Sequence, residues 1–262
     1  MRTLLLACTV PLLSGCSSVG HRPDGCRAIS PATDSVGVAF VANGSGDFRT
    51  ISANLGQVVA QTGAPLQIET VRWSHGYGRY VSDHLDHANH LAQGARLAAQ
   101  VTAYRQAYPG RKVHLVGHSA GCAVVLSAAE RLPTDAVDGL VLLAPSVCAS
   151  YDLRPALRTA CCGIDVFHSA EDRVILGLGM QVVGTSDHGC RTAAGQCGFR
   201  PVIACPADAA LYGRLRQHPW VPAVAWSGHD GGHYGSNQPD FLRAYVLPLL
   251  LAGGNSATGG YR

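Results

Sequence analysis

Charge is scarce in this chain. Asp, Glu, Lys and Arg make up 14% of its 262 residues, lysine occurs once, at Lys112, and the net charge is +3. With no run in which basic and aromatic residues interleave, no nucleic-acid partner is expected. No C-x-x-C pair and no H-E-x-x-H occurs, so the common zinc signatures are missing and no metal or other cofactor is expected. No period of solenoid or propeller length repeats. The apolar stretch Thr3–Leu13 is too short to cross a bilayer as a helix. What is present is apolar and small: 47% hydrophobic residues and 31 glycines. A chain of this length buries roughly 70–75% of its unfolded surface, enough for one α/β domain with a good core.

The N-terminus reads as a targeting segment. Arg2 supplies a positive start, Thr3–Leu13 an apolar stretch, and Leu13-Ser14-Gly15-Cys16 resembles a bacterial lipobox. That resemblance implies a lipoprotein signal peptide at 1–15, cleavage before Cys16 and a lipid on Cys16. The membrane would then be a partner through that anchor, at the bacterial cell envelope. Ser17 in place of Asp implies the outer membrane in a Gram-negative host. An ordinary secretory signal, with a secreted or periplasmic product, is the alternative. Residues 16–34 read as a tether rich in Ser, Gly and Pro, and 253–262 as a flexible tail. Export leaves eight cysteines without Cys8 and Cys16, an even number that favours disulfides in an oxidising compartment. Cys190 and Cys197 bracket a glycine-containing loop and are the expected local pair. Cys122 is expected as a buried free thiol.

Strand and helix patterns alternate from Val36. Strands are expected at Val36–Ala42, Leu66–Trp73, Gly139–Ala144, Ile164–His168 and Val221–Trp226. Helices are expected at about Thr50–Gln61, from Asp83 with Ser82 as its cap, at Leu91–Tyr108, and at Phe241–Leu251. This alternation implies a mostly parallel sheet of about six strands with helices on both faces, and sites at the carboxyl ends of the strands.

Between the second and third of those strands lies Val113-His114-Leu115-Val116-Gly117-His118-Ser119-Ala120-Gly121, followed by the helical run Cys122–Arg131. An apolar strand entering G-x-S-x-G and leaving as a helix is the context in which a serine becomes a nucleophile. The turn must be tight enough to hold the hydroxyl clear of the sheet. Through this motif and the order of elements from about Ser35 to Leu250, the chain resembles the α/β-hydrolase superfamily, and within it the serine esterases and lipases. The resemblance implies the α/β-hydrolase fold over 35–252 as the catalytic domain. It also implies a Ser–acid–His triad and acyl transfer through an acyl-enzyme.

Ser119 is then the nucleophile. The acid is expected after the strand Ile164–His168, where Asp172 fits the family pattern and Glu171 is the alternative; Asp165 lies inside the strand. The base is expected in Ser227-Gly228-His229-Asp230-Gly231-Gly232-His233-Tyr234, with His233 favoured over His229. The family pattern gives the Ala120 N–H as one oxyanion donor. The loop Asn43–Asp47 supplies the other, from Ser45 or Gly44, although it lacks the H-G-G-G form. His84, His87 and His90 read as a polar helix start and not as a metal site. The short connection from Ala144 to Ile164 leaves little or no room for a cap, so an open, shallow site is expected. The Gly- and Cys-rich insertion Leu176–Pro206 lies over it as the specificity element, and Trp73, Tyr77 and Tyr80 add apolar surface. The expected substrate is a small or polymeric carboxylic ester. An amidase, peptidase or thioesterase with the same triad, or an envelope lipoprotein that uses the fold for binding, are the competing readings. Oligomeric state is not legible.

Overall fold

The computed structural model describes residues 35–252. The lipidation site Cys16, the signal peptide, the tether and the C-terminal tail lie outside the described residues. Among the described residues six strands form one sheet, all parallel: β1 (Gly37–Ala42), β2 (Leu66–Thr70), β3 (Lys112–His118), β4 (Gly139–Leu143), β5 (Ile164–His168) and β6 (Leu215–Pro219), in the order β2-β1-β3-β4-β5-β6.

Burial of both faces explains the apolar strands. In β1, Val38, Phe40 and Ala42 enter one core while Ala39 and Val41 enter the other. In β3, Val113 and Leu115 face the first core and Val116 the second. Side chains alternate across a strand, so a strand covered on both sides has no polar face to show. The helix α1 (Thr50–Thr62) buries Ile51, Leu55 and Val58, a stripe at helical spacing. It packs in the second core with Phe241, Leu242, Val246 and Leu250 of the C-terminal segment. The other face is covered by α3 (His87–Ala107), which buries Leu97, Val101 and Tyr104, and by α4 (Gly121–Ala129), which is buried throughout. Each large aliphatic side chain taken fully out of water contributes roughly 1.5–3 kcal/mol.

Three expectations are corrected. The helix expected from Asp83 is a short α2 (Tyr80–Leu85) that starts earlier and ends at Asp86. The Asp86 side chain accepts from the Asn89 N–H and so caps α3 as a separate helix. The last strand is not Val221–Trp226: that segment is a 3-10 turn (Pro222–Ser227) with proline at its start, ended by Gly228 at φ 81°. β6 lies upstream, where Arg216 and His218 reach Asp165 on β5 and Gln217 holds the backbone of Phe199. Its polar side chains are satisfied by neighbours, and hydropathy alone does not mark it. Finally, Cys190 pairs with Cys148 and not with Cys197, at a Cα separation of 5.4 Å. A bridge between Cys148 and Ala193 lays those two segments side by side. Cys197 instead sits on α7 (Ala194–Cys197), its thiol directed to backbone carbonyls, after α5 (Arg154–Thr159) and α6 (Met180–Val183).

The chain crosses from β2 on one side of β1 to β3 on the other, so the loops after β1 and β3 leave the sheet in opposite directions. Such a switch point opens a crevice at the carboxyl ends of the strands.

Candidate active site

Ser119 stands at that crevice with φ 52°, in the left-handed region that non-glycine residues rarely adopt. Strain of this kind costs about 1–3 kcal/mol and persists where the surroundings over-determine it. Here the Ser119 N–H donates to Leu143 at 3.0 Å, and its carbonyl accepts from the N–H groups of Cys122 and Ser146. The two motif glycines are required by space. A Cβ on Gly117 would stand 2.8 Å from the Cα of Cys122, and one on Gly121 would stand 2.3 Å from the Ala42 carbonyl oxygen. The turn can therefore close only with glycine at both places.

The structure brings Ser119, His233 and Asp172 together. The Ser119 Oγ lies 2.9 Å from His233 Nε2, and His233 Nδ1 lies 2.6 Å from Asp172 Oδ2. All three are buried. Asp172 Oδ1 also accepts the Leu176 N–H at 3.2 Å, so the carboxylate is oriented by the turn that follows it, the π-helical stretch Arg173–Gly179. With Nδ1–H donated to Asp172, Nε2 carries a lone pair toward the serine hydroxyl.

The other candidates lie elsewhere. Glu171 is an exposed partner of Arg173. Asp165 is buried against Arg216 and His218 between β5 and β6. His229 accepts the Gly231 N–H, packs edge-on to Phe241, and is held down to about pKa 4 by burial. His84 donates to the Gly184 carbonyl and His90 to that of Asp83, while the His87 ring packs against those of His90 and His188. Burial pushes the Cys122 thiol well up, which leaves it inert beside the serine.

Gly44 and Ser45 line the same cleft as Ser119. Among the described residues, neither the Ala120 nor the Ser45 N–H is engaged by another acceptor. The segment that carries Ser45 is anchored before it at Asn43. The Asn43 side chain exchanges hydrogen bonds with Ser52, and the Asn43 backbone carbonyl accepts the Trp73 indole N–H at 2.9 Å. Trp73 is therefore a buried strut and not part of an acyl surface.

The cleft holds about 430 Å³ and is walled by Tyr80, Val81 and Leu85 of α2 and by Val174, Met180 and Val183 beyond β5. The short β4–β5 connection contributes no wall to it, and the segment after β5 supplies that side. Tyr77 stands away from it, against Phe48.

Sequence reading missed His118. Its buried ring lines the cleft, donates from Nε2 to the His233 carbonyl at 3.2 Å, and is held down to about pKa 3 by burial. Its place beside Ser119 in the pentapeptide was the available signal. Asp83 was also missed, for reasons of tertiary structure.

Residues 65–159, which include Ser119, match the family model for the alpha/beta hydrolase fold. No curated protein matches this chain. Among solved structures, esterase PE8 is 18% identical with a TM-score of 0.48, over 84% of this chain and 97% of its own. The acetyl xylan esterase catalytic core from Trichoderma reesei is 15% identical with a TM-score of 0.42, over 86% and 100%. A cutinase from Trichoderma reesei is 19% identical with a TM-score of 0.40, over 58% and 69%. The family match, the all-parallel six-stranded sheet and the helices packed on both its faces lead to one statement: the chain has the α/β-hydrolase fold.

Proposed function

We propose that this protein is a serine hydrolase that cleaves carboxylic esters with an apolar acyl group. The observation that carries this reading is the unbroken hydrogen-bond chain Ser119–His233–Asp172 at the mouth of an apolar cleft. Ser119 Oγ attacks the ester carbonyl carbon while His233 Nε2 takes the hydroxyl proton. Asp172 holds the imidazole in the required tautomer and stabilises the imidazolium. The carbonyl electrons move to oxygen, where the Ala120 N–H and a donor from Ser45 or Gly44 receive the charge. Collapse expels the alcohol, which leaves with the proton from His233. Water then repeats the sequence on the acyl-enzyme and releases the acid and free Ser119. The apolar walls of α2 and the segment after β5 suit an acyl chain.

We also place the protein in the cell envelope through a lipid on Cys16. The stretch Leu13-Ser14-Gly15-Cys16 supports this, and so does the Cys148–Cys190 disulfide, which suits an oxidising compartment.

One experiment tests both. Bacterial cells expressing the full chain are treated with a fluorophosphonate, fractionated and mapped by peptide mass. The expected result is an adduct on Ser119 in the membrane fraction, absent from Ser119→Ala and shifted to the soluble fraction in Cys16→Ala. Folded, oxidised protein without an adduct would sink the hydrolase reading. An adduct that stays membrane-bound in Cys16→Ala would sink the anchor.

A further inference from the structure

Asp83 is a carboxylate with no exposed surface and no place in the relay from Ser119 to Asp172. Four donors from two loops converge on it. Its Oδ2 accepts the Gly46 N–H at 2.7 Å and the Ser74 hydroxyl at 2.6 Å. Its Oδ1 accepts the His75 N–H at 2.7 Å and His75 Nδ1 at 2.9 Å. An ionised group buried without such partners would cost several kcal/mol, so the site is built around the charge. Hydrogen bonds to a charged acceptor are roughly twice as strong as neutral ones. The far nitrogen of His75 reaches Asp86 at 3.0 Å, and these contacts, led by the one to Asp83, raise the imidazole's pKa.

The position of these bonds along the chain matters. Gly46 directly follows Ser45, and its carbonyl also accepts the Gly78 N–H. The Gly44–Ser45 pair is thus suspended between two fixed points. One is Asn43, held by Ser52 and Trp73. The other is Gly46, held by Asp83 and Gly78. We propose that Asp83 is a positioning residue for the oxyanion loop: its buried carboxylate clamps Gly46 and so fixes where the Ser45 and Gly44 N–H groups point. This inference rests on the esterase reading of the site. Asp83 hangs from α2, whose other residues wall the cleft, so one carboxylate sets the loop of donors against the wall that receives the acyl chain.

The test compares Asp83→Asn with the parent protein, both full-length and oxidised. Asparagine keeps the shape but loses the charge and turns an amide N–H₂ toward one pair of donors. Amide hydrogen exchange over residues 43–48 reads the clamp directly and needs no turnover. Steady-state hydrolysis of 4-nitrophenyl butanoate and inhibition by a hexyl trifluoromethyl ketone, whose serine adduct bears an oxyanion, read its consequence. The expected result is faster exchange at 43–48, kcat lower by ~10- to 100-fold, KM within about threefold, and ketone affinity lowered in step with kcat, since loss of a whole donor costs ~100- to 1000-fold. Unchanged exchange would overturn the clamp whatever the turnover. Faster exchange with KM raised and kcat and ketone affinity intact would make Asp83 a strut of the cleft wall and overturn the positioning role. Faster exchange in Asp83→Asn, with no turnover or labelling in the parent, would leave the clamp and remove the esterase reading. Should Asp83→Asn not fold, Ser74→Ala removes one donor, leaves the charge, and is read the same way with a smaller expected change.

Discussion

The two sides of the cleft are made to different standards. Around Ser119 the backbone is fixed by its own hydrogen bonds, the helix behind it is buried throughout, and the glycines at 117 and 121 leave no room for a methyl group. Across the cleft, the stretch Val174–Val183 carries no charged residue and leaves Val174 77%, Leu178 68% and Val182 72% exposed. The first side must present a hydroxyl, a base and N–H donors to one carbonyl, where an error of an ångström costs about 100-fold. On the proposed reading the second meets only the acyl chain, whose dispersion contacts are individually small and forgiving. The proposed function thus divides chemistry and selectivity between the tightly packed half and the loose one.

Asp172 is the point at which the two halves meet, since it orients His233 and also starts the loose wall through the Leu176 N–H. Replacing it by Asn is the largest test of the division. An amide cannot hold the same imidazole tautomer, so kcat for a short ester should fall by ~10,000-fold while KM stays nearly level. Stopped-flow hydrolysis of nitrophenyl esters checks this. A loss below tenfold would mean that the carboxylate is needed for the wall and not for the histidine.

Acid should act first through the buried histidines. Burial holds His118 down to about pKa 3 and His114 and His229 to about 4. The unfolded chain protonates these rings near their ordinary 6.5, so between about pH 6.5 and 4 it binds more protons than the folded protein. Stability is therefore complete above that window and is lost as pH falls through it. Carboxyls held low, such as Asp152 and Asp208, add their loss only below their ordinary 3.8, as pH falls through their lowered values. Scanning calorimetry should show Tm dropping by ~10 °C from pH 7 to pH 4, with a shallower slope in His118→Gln. A Tm flat across that range would mean that these rings open to water.

The same contrast explains what the sequence disclosed. β5 reads correctly at Ile164–His168, and β1, β3 and β4 nearly so, because strands covered on both faces are apolar runs. Ser119 is legible because a strained turn leaves its glycines in the sequence. β6 was displaced because its side chains are satisfied by Asp165 and Phe199, partners that are distant in sequence. The Cys148 partner of Cys190 was hidden for the same reason, being 42 residues away. Asp83 sits in a stretch of alternating Asp and His that reads as a solvated helix start, and only the packing of the loops after β1 and β2 turns it inward.

The smallest effect should come from the loose wall itself. Its far end is tied down by the Cys148–Cys190 bond, with Ser146 bonded to Ser186 at 2.9 Å and the Cys148 N–H donated to Asp187 at 2.9 Å. Closing a loop of this separation stabilises the fold by about 4 kcal/mol in the chain-entropy account. The local consequence is narrower. The wall is held at Asp172 at one end and at this staple at the other, so opening the staple frees Met180 and Val183 while Ser119, His233 and Asp172 keep their contacts. The Cys148→Ser, Cys190→Ser double variant should raise KM for a dodecanoyl ester by ~4- to 15-fold, the worth of one or two methylenes of lost contact. For an acetyl ester, kcat should stay within about twofold. Equal losses on both substrates would show that the staple also holds the catalytic side, and the division between the two walls would fail.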